Sequence, residues 1–535
     1  MPALMSANPR LLITWGFMAV LILGVGFLQG PTNAIMLVNI GLISGLMALG
    51  LNMQWGYAGL FNAGVMGSVV VGAIMVILIT HDPIPAPTLP AALIEGSGAD
   101  DQTRTAAQAG YDKLVAAKGV FDRSLRGLLV SLSVFALFCT GLAMAWRRLA
   151  GKSWRAWIVI PGFLIGYVLF RVFYDPSVAG VESYQTASFG NIGGIGLGSF
   201  FERLGIPFAG FWSVLIAWFI GGLAAGSVAW LIGKITLGLR SDYFAIATLG
   251  IAEIVVSFAK NEQWLTRGVK NVNAGSIGSP IARPASSYAN QDPQNGEILV
   301  RGMQDQPWVQ KLTAWVQGYD LAGFQADLPD NQLWDFRYLE PEFREVMITA
   351  AKLANLLSYT LLISAIMALI FFLAYRALNS PWGRMMRAIR DNETAAAAMG
   401  KNVVGRHLQV FVLGSIVIGI AGAMLVVVSG SGFTPNSYLA MRFTFLIWVM
   451  VIVGGSGNNS GVILGGMLIW FLWVQSDPIA AEFAEALPAW MGAVKAWVEA
   501  SVPFFKFFFL GLILLLVLRF APKGLIPERG SERRR

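Results

Sequence analysis

The sequence predicts an all-α fold, a polytopic helical membrane protein with about 10–12 transmembrane spans. Of the 535 residues, 56% are hydrophobic and only 13% are charged, whereas soluble domains carry about 25% charged residues. The mean hydropathy of +0.63 agrees with this composition. Many apolar stretches reach the length of about 17–25 residues at which a helix crosses a bilayer. The sequence lacks the alternating segments of about ten residues that would indicate a membrane β-barrel.

Twelve apolar stretches follow one another along the chain, and each predicts a helix. They lie near residues 11–29, 33–51, 59–80, 126–146, 156–174, 209–232, 243–259, 353–377, 408–430, 440–456, 461–476 and 503–520. The pair 440–456 and 461–476 is short and is interrupted by GGSGNNSG, so a re-entrant hairpin is an alternative there. The first stretch is too long for the apolar part of a signal peptide, and we expect it to be a retained span.

The stretches divide the chain into membrane segments and inserts. N-terminal spans lie in 1–80, an extracytoplasmic insert in 81–125, central spans in 126–278, a second extracytoplasmic insert in 279–352, and C-terminal spans in 353–535, which include the cytoplasmic loop 378–407. The second insert is either a solvated loop or a docking surface for an extracytoplasmic partner.

The positions of lysine and arginine predict the orientation, because short cytoplasmic loops carry an excess of both. Basic residues concentrate in the loops 147–155, 233–242 and 378–407 and in the tail PERGSERRR. If all the stretches span, these segments fall on one side, with both termini cytoplasmic. The net charge of +8 therefore indicates membrane topology, and no nucleic-acid partner is expected.

Sequence motifs for catalysis and metal binding are missing. There is no G-x-x-x-x-G-K-[ST] phosphate loop, since GKIT at 233–236 lacks the required Ser or Thr after its lysine. H-E-x-x-H and G-x-S-x-G are also absent from the sequence. The single cysteine, Cys139, lies in a span, and His81 and His407 are far apart. We predict no enzyme, no catalytic residue, no metal site and no cofactor bound by this chain.

A few polar residues in the apolar stretches are candidates for a translocation pathway. An acid in a membrane helix is costly and often functional. Glu253 could contact a substrate ammonium group or relay protons, or it could hydrogen-bond a neighbouring helix. The glycine-rich stretch GYAGLFNAGVMG could unwind locally, as helices do beside transport sites. The candidate pathway residues are Asn62, Tyr243, Thr248 and Glu253.

The loop 378–407 contains GRMMRAIRDNETAAAAMG, for which we predict one short surface helix. Arg384, Arg387 and Arg390 recur every three residues along one side. The alanine run favours helix, and Gly400 is suited to a C-cap. Such a helix could rest on anionic lipid. Its small alanines favour insertion into a groove of another protein.

This stretch resembles the coupling loop of ABC-importer permeases, whose signature is E-A-A-x-x-x-G. Ala395, Ala396 and Gly400 match the signature, while Thr394 replaces its glutamate and Glu393 lies one residue earlier. The variant is similar to permeases of the branched-chain amino acid family, LivM type. GYAGLFNAGVMGSVVVGA, LRSDYFAIATLGIAEIVVSFAKNEQWLTRG, VIVGGSGNNSGVILGG and RFAPKGLIPE resemble further segments of that family, in the same order.

The resemblance implies a permease subunit of an ATP-driven importer in the bacterial inner membrane. Its partners would be a second permease, two cytoplasmic ABC ATPases that use the ATP, an extracytoplasmic solute-binding protein and the lipid bilayer. The implied ATPase-coupling residues are Arg384, Arg387, Arg390, Asp391, Glu393, Ala395, Ala396 and Gly400. The implied substrates are branched-chain or other amino acids; urea or short amides are an alternative in the same family. An ion-coupled secondary transporter and a membrane scaffold are the alternatives outside it.

Overall fold

A computed structural model describes residues 9–81, 83, 101–152, 154–187, 193–268, 341–429, 433–488 and 491–528 of the chain. The described residues are overwhelmingly helical, which confirms the all-α prediction. Ten of the described helices are long and apolar enough to cross a membrane, and Val65–Thr80 and Met441–Gly454 are shorter apolar helices. Every predicted apolar stretch therefore contains a helix, although the helix in the stretch 59–80 begins only at Val65.

The helices follow in order along the chain. They are α1 (Pro9–Gln29), α2 (Pro31–Gln54), α3 (Val65–Thr80), α4 (Asp101–Arg148), α5 (Arg155–Ala187), α6 (Leu197–Arg203), α7 (Ala209–Thr236), α8 (Ser241–Asn261), α9 (Gln263–Thr266), α10 (Pro341–Asn379), α11 (Pro381–Asp391), α12 (Glu393–Ala398), α13 (Val403–Ser429), α14 (Leu446–Gly454), α15 (Asn459–Glu485) and α16 (Gly492–Phe520). A 3₁₀ turn at Pro435–Ser437 and a π-helical turn at Met441–Phe445 precede α14.

Helix bounds differ from the predicted inserts at two places. Residues 101–125 are not a separate element but the first half of α4, which continues to Arg148. Likewise α10 begins at Pro341, inside the predicted second insert. The rest of both inserts, 84–100 and 279–340, lies outside the described residues. A helix can continue from a polar segment into an apolar one, because its backbone hydrogen bonds form whether or not the side chains are apolar.

The chain divides into two compact units. One unit contains α1–α3, α6, α7, most of α8 and α10–α16; the other contains α4, α5 and α9. In the larger unit, α13 packs against α2, α3 and α7, and α15 packs against α2, α14 and α16. In the smaller unit, α4 and α5 pack along each other, and α5 also contacts α9.

Glycines set the close approach of helices in the core of the larger unit. A Cβ added at Gly72 of α3 would overlap the backbone carbonyl of Gly419 in α13. Gly50 of α2 and Gly414 of α13 allow a similar approach. A Cβ added at Gly50 would lie only 2.7 Å from the carbonyl oxygen of Gly414. Small residues allow this approach, and the dispersion contacts it creates hold membrane helices together.

Candidate functional site

The loop between α10 and α13 forms two helices, so the prediction of one continuous helix is wrong. α11 ends at Asp391 and α12 begins at Glu393, with Asn392 extended between them at φ −157°. The Asn392 side chain accepts a hydrogen bond of 3.0 Å from the backbone N–H of Ala395. An asparagine that caps a new helix in this way interrupts the preceding one.

α11 lies with its apolar side against the larger unit. Met386 and Ile389 are fully buried, with exposed fractions of 0% and 1%. Arg384 donates to the Asn379 carbonyl over 3.5 Å and Arg387 to the Leu378 carbonyl over 3.4 Å. Both arginines therefore satisfy carbonyls at the C-terminal end of α10, where the helix dipole also favours positive charge.

α12 is the exposed part of this loop. None of its residues is fully buried. Ala396 is half-buried, and the other five residues of the helix are exposed. Met399, which follows the helix, exposes 80% of its surface. Gly400 has φ +75° and donates to the Ala397 carbonyl over 2.9 Å. The predicted glycine C-cap is therefore present, and it presents a methionine and a row of methyl groups to the surroundings.

Arg390 differs from the other arginines because it points into the unit. Its Nη1 donates to the Gly56 carbonyl, and Nη1 and Nη2 both lie 3.4 Å from Oε2 of Glu528. Its Nε also lies 3.3 Å from Asp391. The guanidinium therefore joins α11 to the segment after α2 and to the C-terminal segment. Arg384 and Arg387 thus bond carbonyls at the end of α10, whereas Arg390 bonds groups outside the loop 378–407.

The residues between α2 and α3 form a non-helical loop, 55–64, whose polar groups are bonded within the bundle. Asn62, 1% exposed, donates to Oε1 of Gln54 over 2.8 Å and accepts from the backbone N–H of Gly64 over 2.8 Å. The indole of Trp448 donates to the Asn62 carbonyl over 3.0 Å. Irregular backbone is tolerated in a membrane protein only where protein or water satisfies it, and here side chains do so.

Thr248 of α8 lies against the same loop. Its hydroxyl accepts from the backbone N–H of Ala63 over 3.2 Å and donates to the Ala245 carbonyl over 2.9 Å. Gly64 contacts the Thr248 backbone so closely that a Cβ would overlap it. The structure therefore brings together Asn62 and Thr248, two of the predicted pathway residues.

Tyr243 and Glu253 lie elsewhere. Both are on the exposed face of α8, where Tyr243 exposes 62% and the neighbouring Ile254 exposes 66%. Glu253 is exposed in this chain by itself, so its contact with a substrate or a neighbouring helix stays a prediction. Positions five residues apart on a helix point about 140° apart, so burying Thr248 turns Glu253 outward.

Sequence reasoning missed the polar groups that hold the loop. Nε2 of Gln54 donates to the Phe411 carbonyl over 2.9 Å and to the Ser415 hydroxyl over 3.1 Å. Asn52 donates to Oδ1 of Asn459 over 3.0 Å. The signal was available, because LNMQW places two carboxamides at the end of an apolar stretch. Among the described residues, no group of three His, Cys, Asp or Glu could hold a metal.

The sequence of this chain matches known membrane permeases. Residues 183–518 match the family described as branched-chain amino acid transport system / permease component. Over 173 residues the chain is 31% identical to the probable branched-chain amino acid transport permease protein LivM of Methanocaldococcus jannaschii, a match that covers 31% of this chain and 46% of that protein.

The high-affinity branched-chain amino acid transport system permease proteins LivM of Escherichia coli and Salmonella typhimurium match over a longer range. They are 23% and 22% identical, and each match covers 76% of this chain and 77% of the relative. No solved structure gives a significant match. The matched family covers well over half of a chain that is a bundle of apolar helices, and the chain therefore belongs to the branched-chain amino acid transport permease family.

Proposed function

We propose that this chain is the membrane-spanning permease subunit of an ATP-driven importer for branched-chain or related amino acids. The observation that carries the proposal is the family match over residues 183–518, together with the exposed α12 in the loop between α10 and α13. The chain has no phosphate-binding motif of its own, so ATP is hydrolysed by separate subunits in this proposal.

α12 is the element that docks on an ATPase subunit. Its alanines, of which Ala396 is half-buried and the others exposed, and the exposed Met399 present a small apolar surface. Helices with small side chains fit closely into grooves, and an exposed methionine adapts to the shape of its partner. The loop is oriented to the cytoplasm in this proposal, with both termini on the same side.

The exposed face of α8 is where the second permease packs. Tyr243, Ile246 and Ile254 expose 62%, 69% and 66% of their surfaces, and Glu253 lies among them. A carboxylate facing lipid at the centre of a bilayer costs about 2.5–3.5 kcal/mol. A partner permease, or the pathway between the two permeases, gives Glu253 a polar neighbour and removes this cost.

Reconstitution tests the proposal. The chain is purified with candidate ATPases, a second permease and a solute-binding protein, and placed in proteoliposomes. Leucine, isoleucine and valine should enter only when ATP is supplied on the ATPase side, and a catalytically dead ATPase is the matched control. Uptake of urea or short amides with no uptake of amino acids would reassign the substrate. Uptake driven by an ion gradient without ATP would contradict the proposal.

A further inference from the structure

The C-terminal segment after α16 folds back on the larger unit. The backbone N–H groups of Leu525 and Ile526 donate to the carbonyls of Val453 and Gly454 over 2.9 and 3.2 Å. Nδ2 of Asn458 donates to the Pro527 carbonyl over 3.1 Å, and Ile526 is 3% exposed. The segment 521–528 is therefore fastened to the turn between α14 and α15.

The turn between α14 and α15 is hydrogen-bonded to the end of α2. Oδ1 of Asn52 accepts from the backbone N–H of Gly457 over 2.9 Å, and its amide group donates to Asn459. Gly457 has φ +81°, and a Cβ there would lie 3.0 Å from the Glu528 carboxylate. The absence of a side chain at Gly457 lets the carboxylate approach the turn.

Glu528, in the C-terminal segment, forms an ion pair with Arg390 of α11. The side chains of Arg390 and Glu528 each expose 25% of their surface, so water screens their ion pair only in part. Arg390 also donates to the Gly56 carbonyl, and its Cγ lies 3.2 Å from the position of a Cβ at Gly59. One guanidinium thus holds the loop 55–64 and the C-terminal segment at the same time.

The loop 55–64 continues into the polar contacts of the core. From Gly56 the chain runs to Asn62, which bonds Gln54 and Gly64, and to Ala63, which bonds Thr248. Arg390 of α11 is therefore joined directly by a hydrogen bond to the loop that carries these contacts.

We infer that Arg390 and Glu528 form a clasp that transmits movement of the α11–α12 segment to the loop 55–64, with the C-terminal segment holding Arg390 in position. The inference rests on the proposed function, because the movement comes from an ATPase bound to α12. Arg390 and Glu528 are positioning residues. They hold α11, the loop 55–64 and the C-terminal segment in register.

Charge reversal tests the clasp in the assembled complex. The variants are Arg390→Glu, Glu528→Arg and the double swap, with Glu528→Gln as a milder change that keeps the side-chain shape. Arg519→Glu is the matched control, since Arg519 is exposed in the last turn of α16, just before the C-terminal segment. The readouts are ATPase co-purification, uptake, ATP hydrolysis and the rate of tryptic cleavage after Lys523.

We expect each single reversal to raise the rate of cleavage after Lys523 and to lower uptake by about tenfold or more, as for loss of a charge-assisted hydrogen bond. Glu528→Gln should shift both readouts in the same direction by less. ATPase subunits should still co-purify, because α12 is intact. The double swap should recover protection of Lys523 and part of the uptake, and Arg519→Glu should resemble the wild type.

Two outcomes overturn the inference. In one, Lys523 stays protected in Arg390→Glu and Glu528→Gln, so the contact does not hold the segment. In the other, the segment is released while uptake stays at the wild-type level, so the contact does not transmit movement. Cleavage after Lys523 is measured without transport. Failure of the wild-type complex to import amino acids would therefore count against the proposed function and leave the clasp itself measurable.

Discussion

The carboxamide of Asn62 donates a hydrogen bond of 2.8 Å to Oε1 of Gln54, and both side chains are essentially inaccessible to solvent. Gln54 passes the contact on to the backbone of Phe411 and to Ser415 in α13. Through these two amides the non-helical loop 55–64 is bonded to α2 and α13. The loop is therefore an ordered part of the core, and its conformation depends on a small number of hydrogen bonds.

Replacing Asn62 by alanine should destabilise the protein and reduce uptake. The change leaves Oε1 of Gln54 and the N–H of Gly64 without their partner on Asn62, and each unsatisfied buried group costs about 1–3 kcal/mol. Thermal unfolding of the detergent-solubilised protein and uptake in proteoliposomes measure the two effects. Asn33→Ala is the control, since Asn33 is exposed on α2. Equal melting temperatures for the two variants would show that the loop does not depend on Asn62.

A side chain at Gly72 should separate α3 from α13. Gly72→Ala places a Cβ on the Gly419 carbonyl, and overpacking of a core typically costs about 1–3 kcal/mol. Gly16→Ala adds the same atom on α1, where nothing lies within 4 Å, and should be neutral. Thermal stability and yield of folded protein in detergent distinguish the two. A Gly72→Ala protein as stable as Gly16→Ala would mean that the helices can separate without loss.

Ala396→Glu should release the ATPase subunits. If α12 enters a groove, the new carboxylate is buried without a partner, and breaking such packing with a charge costs several kcal/mol. Asn436→Glu adds the same group at an exposed position in the turn after α13 and should leave the complex intact. Co-purification and uptake are measured for both. Full ATPase binding and full uptake by Ala396→Glu would make α12 a lipid-surface element.

Gly400→Ala should weaken docking less than Ala396→Glu does. No atom lies within 4 Å of a Cβ at Gly400, so its effect comes only from the positive φ of +75°. A left-handed conformation costs a residue with a Cβ roughly 1–2 kcal/mol. We expect an affinity for the ATPase lowered by about tenfold, measured by titration of the purified subunits. Unchanged affinity would show that the cap does not determine the geometry of the docked loop.

Glu253→Gln should reduce uptake while the second permease still co-purifies. The substitution removes the charge and keeps the shape, so assembly through the apolar neighbours on α8 is retained. Asp242→Asn is the control, because Asp242 is exposed in the first turn of the same helix. Wild-type uptake by Glu253→Gln would leave the carboxylate with a packing role at most.

The loop 147–155 and both termini should be cytoplasmic, and residue 310 should be outside. Cysteines introduced as Lys152→Cys and Gln310→Cys report this in a Cys139→Ser background, which removes the single native thiol. An impermeant maleimide should label position 310 from outside intact cells and position 152 only after permeabilisation. The reverse pattern would invert the topology. Residue 310 lies outside the described residues, so this prediction rests on the distribution of Lys and Arg.

The sequence alone determined the fold class, the positions of the spans and the family. These follow from local quantities, since the length and apolar content of a stretch decide whether a helix can cross a bilayer. It also predicted the glycine cap at Gly400, because left-handed backbone at a helix end favours glycine. The family resemblance rested on short motifs that survive in order along the chain.

Only the tertiary structure decided which polar residues meet. Glu528 and Arg390 are 138 residues apart, and no local pattern couples them. Thr248 and Glu253 are close in sequence, yet packing of α8 against the loop 55–64 buries the first and exposes the second. The division of α11 from α12 likewise depended on the hydrogen bond made by Asn392. Side-chain contacts of this kind depend on which helix faces are buried, and that is set by the packing of the whole bundle.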